Sequence, residues 1–180
     1  MANQLTIFRG LLICLLAGFL SLHSPDGFLA WIPSLLYSTN LIIDGFDGNL
    51  ARFRKEVSAF GNFLDKDLDA LGTLVSVLLA IHYARLPDWY ILAGVAYYLF
   101  ACGEWLRAKR GLSLHPLASS RYRRYVAVLQ SVFIAFSLLP ETILPQYDMM
   151  AVLIMTLVLS GFLWDWRTVC GYGFRALSSE

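Results

Sequence analysis

Six runs of the chain contain no charged residue, and short polar stretches separate them. The runs lie at 10–25, 27–43, 70–84, 89–103, 125–140 and 149–164. A helix that crosses a bilayer needs about 17–25 largely apolar residues. With their flanking residues, the runs predict six membrane-spanning helices at about 7–23, 28–50, 60–83, 89–107, 123–139 and 149–166.

The composition agrees with a membrane protein. Of the 180 residues, 58% are hydrophobic and 15% are charged, and the mean hydropathy is +0.60. A soluble domain carries about 25% charged residues. We expect one all-α membrane domain over 1–180, with no separate soluble domain and no nucleic-acid partner. The first run lacks a clear cleavage site and five more follow it, so it is expected to span the membrane rather than to be a signal peptide.

The basic residues predict the orientation of the helices. Every Lys and Arg except Arg85 falls on the side that both termini share. Because short cytoplasmic loops carry the excess of Lys and Arg, we expect both termini to be cytoplasmic, as six spans also require. The expected location is a bacterial cytoplasmic (inner) membrane, with the polar helix ends facing the cytoplasm.

Five aspartates lie where the second predicted helix ends and the third begins. They are Asp44, Asp47, Asp65, Asp67 and Asp69. A charged residue within a membrane helix costs at least about 2.5–3.5 kcal/mol, and neighbouring carboxylates repel one another unless something positive lies among them. Divalent cations, which prefer hard oxygen ligands, are the simplest solution.

Helical spacing divides these aspartates. At about 100° per residue, Asp65 and Asp69 share one face of the third helix with Gly61, and Asp67 points roughly the other way. One face of the second helix holds Asp44, Asp47, Gly48, Ala51 and Arg52. The small residues on both faces would keep the cleft between the helices open to a bulky ligand.

The segment 44–69 reads Asp44-x-x-Asp47-Gly48-x-x-Ala51-Arg52, eight residues, then Gly61-x-x-x-Asp65-x-x-x-Asp69. At every defining position it resembles the signature of the CDP-alcohol phosphatidyltransferase family (class I). The six-helix plan extends the resemblance along most of the chain. The beginning, Asn3-x-Leu5-Thr6-x-x-Arg9, is similar to a stretch found in many members.

The resemblance implies a phosphotransferase of phospholipid biosynthesis. Such an enzyme moves a substituted phosphate group from a CDP-linked donor to an alcohol and releases CMP. The donor is a CDP-linked lipid or a CDP-linked soluble alcohol, and we expect CDP-diacylglycerol, whose chains could enter between the helices. The resemblance also implies a homodimer and two divalent ions, Mg²⁺ or Mn²⁺. The ions would be held by Asp44, Asp47, Asp65 and Asp69. Asp69 would be the catalytic base, although the residues alone do not separate it from Asp65.

Other positions are assigned to the substrates. The donor would contact Gly48, Ala51, Arg52, Gly61, Asn3 and Thr6. For Asn3 and Thr6, helix capping is an equal alternative. Near the predicted cytoplasmic ends of the helices lie Arg107, Arg121, Arg123 and Arg124. Their position reflects either the excess of basic residues on the cytoplasmic side and contact with anionic headgroups, or contact with a phosphate of the donor or acceptor. Basic residues favour a phosphorylated, glycerol-phosphate-like acceptor. Asp67 is expected to pair with Lys66 or to lie in a dimer contact.

Two other functions fit part of the pattern. Acids within a membrane also line the cation pathways of transporters, but such acids are spread through the depth of the bilayer, whereas these cluster at one face. An inactive family member serving as a structural subunit would be favoured by the loss of a signature aspartate, and none is missing.

Overall fold

The computed structural model describes the backbone of residues 2–23, 25–54, 59–115, 117, 120–140 and 147–171, and the side chains of these residues except 2–4, 46–63 and 147. This part of the chain is helical and contains no β-strand. Its helices are α1 (Ala2–Gly18), α2 (Ile32–Arg54), α3 (Ala59–His82), α4 (Ile91–Lys109), α5 (Arg121–Ser137) and α6 (Tyr147–Val169). Short 3-10 turns lie at Phe19–Ser21, Gly27–Trp31 and Asp88–Tyr90.

The all-α prediction with six helices is confirmed, but several helix ends differ by a few residues from the predicted bounds. The helix α1 begins at Ala2 instead of about 7, and α2 continues to Arg54. Hydropathy marks the apolar part of a helix. The helix itself continues into polar sequence, because each added residue closes one more backbone hydrogen bond.

The helix α3 lies at the centre of the bundle. It packs against α1, α4 and α5, while α6 packs against α4 and α5. Val77 and Leu79 of α3 are fully buried, and the same core contains Leu16 of α1, Ile134 of α5 and Ile154 of α6. The helix α1 packs against both α2 and α3, which places the beginning of the chain beside the aspartate-rich segment.

A side-chain hydrogen bond fixes the level of α2 against α5. The Ser34 hydroxyl near the start of α2 donates to the carbonyl of Ala135 near the end of α5, at 2.8 Å. Asp44 further along α2 and Arg124 near the start of α5 line one cavity, so the two helices run antiparallel. Both rise about 1.5 Å per residue. Ten residues along α2 lead to Asp44 and eleven back along α5 lead to Arg124, so these two residues lie at about the same level.

Large apolar side chains cover much of the outer surface. Among the exposed ones are Ile7, Leu11, Leu15, Phe28, Leu35, Leu99, Met149, Leu153 and Leu163. When each helix is considered alone, one stretch in the described part, Asp148–Val169, is both long and apolar enough to cross a membrane. Leu5–Ser21 is also apolar, but it is shorter. The charged residues of α2, α3 and α5 lower their hydropathy, so six spans stay a prediction at this point.

Gly94 allows α4 to pack closely on α3. A Cβ atom added at Gly94 would lie 3.1 Å from Leu74 Cδ1 and 3.3 Å from Leu74 Cα. Small residues permit such backbone approach between helices in membrane proteins. At Gly18, by contrast, an added Cβ meets nothing within 4 Å.

We therefore expect Gly94→Ala to destabilise the protein by about 1–3 kcal/mol, the usual range for overpacking. Gly18→Ala, the matched control, should be neutral or slightly stabilising because alanine favours helix. Thermal unfolding of both variants in detergent checks the pair. Equal unfolding midpoints would contradict the close packing of α3 and α4.

Candidate active site

Three of the four aspartates predicted to bind metal come together in the structure. One carboxylate oxygen each from Asp44 of α2 and from Asp65 and Asp69 of α3 lie within 4.8 Å of one another. Asp65 and Asp69 are one turn apart and therefore share a face of α3. The three side chains are 35%, 38% and 49% exposed, so the cluster is open on one side.

On the closed side of the cluster lies Arg9 of α1, which is completely buried. Its Nη1 donates to Oδ1 of Asp65 and lies 2.9 Å from Oδ1 of Asp44, and its Nη2 donates to Oδ1 of Asp69. A guanidinium presents several donors in one plane, so a single side chain can bind all three carboxylates. Because α1 packs against α2 and α3, Arg9 ties the three helices together.

Sequence reasoning missed this role of Arg9. The sequence predicted that positive charge must lie among the aspartates, and bound divalent cations were expected to supply it. Arg9 entered only as one of the cytoplasmic basic residues and as part of the resemblance at the beginning of the chain. The signal was present, because a basic residue of the first helix lay on the same side of the membrane as the aspartates. One guanidinium still leaves an excess of negative charge on three carboxylates.

Asp67 lies apart from the cluster, as its position on α3 predicts. The hydroxyl of Tyr97 on α4 donates a hydrogen bond to Asp67 Oδ1 at 3.0 Å. Within the chain, the partner of Asp67 in the described residues is thus Tyr97 and not Lys66, and the alternative of a dimer contact stays a prediction.

The four predicted arginines do not form one group. Arg107 donates to the carbonyl of Ser113 at 3.1 Å and so supports the turn after α4. Arg123 pairs with Asp165 of α6 at 3.3 Å, and together with Arg121 it lines a cavity of about 730 Å³ between α5 and α6. Arg124 alone lines the cavity that adjoins the aspartates. Neighbouring residues of a helix point to different sides, which explains the division.

Several predicted site residues lie outside the described side chains. These are the metal ligand Asp47 and the donor contacts Gly48, Ala51, Arg52, Gly61 and Asn3. The helix α1 begins at Ala2, so Asn3 and Thr6 lie within the helix and not at its N-cap position. The capping interpretation is therefore wrong for both residues, and Thr6 is half-buried on the helix that carries Arg9.

A cavity of about 540 Å³ opens beside the aspartates, between α2, α3, α4 and α5. We refer to it as the central cavity. Its polar lining consists of Tyr37, Asn40, Asp44, Lys66, Asp69, Thr73, Tyr97, Arg124, Gln130 and Ser131. The volume lies within the range of about 300–1,000 Å³ that is typical of small-molecule sites.

The comparison with known families agrees with this geometry. A family model described as CDP-alcohol phosphatidyltransferase matches residues 1–163. The chain belongs to this family. The match includes both α1 with Arg9 and the aspartate-bearing ends of α2 and α3.

Curated relatives within the CDP-alcohol phosphatidyltransferase family match parts of the chain. The archaetidylinositol phosphate synthase of Pyrococcus horikoshii is 39% identical over 87 residues, which are 48% of this chain and 43% of that protein. The CDP-diacylglycerol–glycerol-3-phosphate 3-phosphatidyltransferase of Cereibacter sphaeroides is 32% identical over 74 residues, which are 41% of this chain and 33% of that protein. The matched stretches span less than half the length of both relatives.

The aspartate cluster suits the divalent metals that the CDP-alcohol phosphatidyltransferase family uses. Its converging ligand atoms are all carboxylate oxygens, which hard cations such as Mg²⁺ and Mn²⁺ prefer. Arg9 contacts Oδ1 of each carboxylate from the buried side, and each carboxylate has a second oxygen. The described residues therefore fit a divalent cation approached from the open side.

We expect Arg9→Met to destabilise the protein by about 3 kcal/mol, because removing one partner of a buried ion pair leaves the other charges uncompensated. Arg107→Met, which loses a contact with a backbone carbonyl only, should cost about 1 kcal/mol or less. Unfolding in detergent, with and without Mg²⁺, measures both. Added Mg²⁺ should stabilise Arg9→Met more than wild type. An Arg9→Met protein as stable as wild type without divalent ions would refute the role of Arg9.

Proposed function

We propose that this chain is an integral membrane enzyme that transfers a phosphatidyl group from CDP-diacylglycerol to a glycerol-phosphate-like alcohol and releases CMP. The observation that carries the proposal is the convergence of Asp44, Asp65 and Asp69 around Arg9 in a chain of the CDP-alcohol phosphatidyltransferase family. One relative is named for glycerol 3-phosphate, which supports an acceptor of this kind.

We assign the metal site to Asp44, Asp65 and Asp69 together with Asp47. Two divalent ions, Mg²⁺ or Mn²⁺, would neutralise the donor pyrophosphate there and stabilise the charge that develops on the departing CMP. Arg9 keeps the carboxylates close together from the buried side of the cluster, so the carboxylates need little rearrangement when the substrates bind.

The geometry favours Asp69 over Asp65 as the catalytic base. Asp69 lines the central cavity, and Asp65 is not among the lining residues described. Asp69 is also the more exposed of the two side chains. In the proposed step, the acceptor oxygen forms a bond to the phosphorus of the phosphatidyl group as the bond from that phosphorus to the CMP oxygen breaks. The proton of the acceptor hydroxyl passes to the carboxylate of Asp69.

The remaining signature residues would hold the donor. Gly48, Ala51 and Gly61 carry little or no side chain and would let the nucleotide lie against the helix backbone. Arg52 would contact a phosphate. Asn3 and Thr6 of α1 would contribute further contacts to the nucleotide.

Membrane insertion is part of the proposal. The exposed apolar side chains of the described helices would face lipid, since soluble monomers rarely expose large contiguous apolar patches. We propose that all six helices span a bacterial inner membrane, with both termini and the active site on the cytoplasmic side and with a homodimer as the working unit.

The transporter alternative gains no support from the central cavity. The acidic residues that line it, Asp44 and Asp69, are at one level of the bundle, and the deeper lining residues described are neutral. A cation pathway requires acids or other ligands through the depth of the membrane.

Purified protein with CDP-diacylglycerol, Mg²⁺ or Mn²⁺ and sn-glycerol 3-phosphate should release CMP. Asp69→Asn should reduce the rate by at least about 10²-fold, because the base is lost, while the amide oxygen keeps an acceptor for Arg9. Chromatographic measurement of CMP checks both, and circular dichroism checks the fold of the variant. The absence of metal-dependent CMP with every acceptor tested would refute the proposal, and full activity of Asp69→Asn would refute the base assignment.

Asp67→Asn serves as the matched comparison on the same helix. The amide oxygen of asparagine can still accept the hydrogen bond from Tyr97, so we expect a rate within about threefold of wild type under the same assay. A loss as large as that of Asp69→Asn would show that Asp67 takes part in the chemistry.

A further inference from the structure

A second cavity lies between α5 and α6, apart from the proposed reaction centre. We refer to it as the α5–α6 cavity. Its volume is about 730 Å³, and no described residue lines both this cavity and the central cavity. The lining residues are Leu117, Ser120, Arg121, Tyr122, Arg123, Ser160, Gly161, Trp164, Asp165 and Thr168.

The charged side chains of the α5–α6 cavity leave an excess of positive charge. Arg123 of α5 pairs with Asp165 of α6 at 3.3 Å, and both side chains are partly buried. Arg121 is exposed and forms no ion pair with any residue that the structure describes. Two arginines and one aspartate among the described lining residues give a net charge of +1. A ligand with one negative charge therefore complements the cavity.

The place of the arginines on α5 adds to this preference for an anion. The helix begins at Arg121, and its first turn contains no acidic residue. Because the N-terminal end of a helix carries partial positive charge, basic side chains are unfavourable there and an anion is favourable. The Ser120 side chain forms no capping hydrogen bond in the described structure, so it does not satisfy the N–H groups of the first turn.

The rim of the α5–α6 cavity is typical of a membrane interface. Trp164 is 72% exposed and Tyr122 is 48% exposed, and both residue types are enriched where hydrocarbon meets water. The Tyr122 hydroxyl donates to the carbonyl oxygen of Leu157 at 3.5 Å. From Leu157, an apolar strip continues along α6 through Leu153 to Met149. These eight residues of helix cover about 12 Å, most of the roughly 15 Å of hydrocarbon in one leaflet.

The combination of a cationic cavity and an adjoining apolar strip favours a charged lipid. Free phosphate could bind Arg121, but it would leave the strip unused. A zwitterionic phospholipid has no net charge and would leave the excess positive charge uncompensated. An anionic phospholipid such as phosphatidylglycerol supplies one negative charge on its phosphodiester and an acyl chain for the strip. Its headgroup hydroxyls could bind Ser120 and Thr168.

We propose that the α5–α6 cavity binds the headgroup of an anionic membrane phospholipid. The phosphodiester would contact Arg121, and one acyl chain would lie along α6 from Leu157 towards Met149. Basic pockets between membrane helices bind anionic headgroups in this way. The bound lipid is not a substrate here. It would hold the first turn of α5, whose next residue, Arg124, lines the central cavity.

Two lipids with the same acyl chains test the preference for charge. Purified protein in a neutral detergent is titrated with phosphatidylglycerol or with phosphatidylcholine, and the unfolding midpoint is measured. We expect phosphatidylglycerol to raise the midpoint by about 3–6 °C, because a ligand that binds only the folded state stabilises it. Phosphatidylcholine should leave the midpoint nearly unchanged. An equal rise with both lipids would overturn the proposal.

Arg121→Gln tests the cavity itself. The variant loses the charge that has no ion-pair partner, so we expect it to bind phosphatidylglycerol about tenfold more weakly, as judged from the midpoint at each lipid concentration. Arg167→Gln is the matched control, because Arg167 is an exposed arginine of α6 that does not line the cavity. It should bind as wild type does. Without lipid, both variants should unfold within about 2 °C of wild type. The same loss of binding in both variants would mean that general charge attracts the lipid, and the site would be refuted.

Asp165→Asn should change binding in the opposite direction. The variant removes a negative charge from the cavity, and its amide oxygen can still accept the hydrogen bond from Arg123. We expect phosphatidylglycerol to bind about threefold more tightly. A headgroup that carried an ammonium group to Asp165 would bind more weakly instead, and weaker binding would contradict an anionic ligand.

Inorganic phosphate distinguishes a lipid from a soluble anion. In large molar excess it should neither raise the midpoint nor displace phosphatidylglycerol, because it cannot use the apolar strip. If it reproduced the rise, the lipid assignment would be wrong. None of these measurements requires turnover. The lipid site would therefore survive a failure to release CMP, and the transferase would survive a failure to bind lipid here.

Discussion

The mutual repulsion of carboxylates gathered at one place is the constraint around which the first three helices of this bundle are arranged. Two like charges 4 Å apart repel by about 4 kcal/mol at an effective dielectric constant of 20. Arg9 offsets this repulsion, because its guanidinium binds Asp44, Asp65 and Asp69 from the buried side. The contact requires α1 to pack against both α2 and α3, so electrostatics fixes the arrangement of three helices at once.

The polarity of the bundle changes in steps along its length. Ionised groups gather at the level of Asp44 and Asp69, neutral polar groups such as Asn40 and Thr73 follow one turn further in, and side chains such as Leu79 and Ile134 fill the core. Each step meets a different need. The charged level would neutralise the pyrophosphate of the proposed donor, the neutral level contains buried hydrogen-bonding groups, and the apolar level holds the helices together.

The sequence predicts which aspartates share a helix face, because residues three and four positions apart are neighbours on a helix surface. The separation of Asp67 from Asp65 and Asp69 followed from that spacing alone. Arg9 was missed because its contacts join residues more than thirty positions apart, and no periodicity within one helix reports them. The arginines of α5 were grouped by their closeness in sequence. Their division between two cavities depends on where α6 and α2 pack, which only the tertiary structure determines.

The position of Arg9 on the first helix also has a consequence for the order in which the protein is made. Every described residue of the ion cluster lies within the first 69 positions, and these positions are synthesised before the rest of the chain. The charged centre can therefore close while α4 to α6 are still being translated. The cavity beside it is complete only after Arg124 and Ser131 of α5 have docked. Arg9 can thus compensate these carboxylates before the later helices have been made.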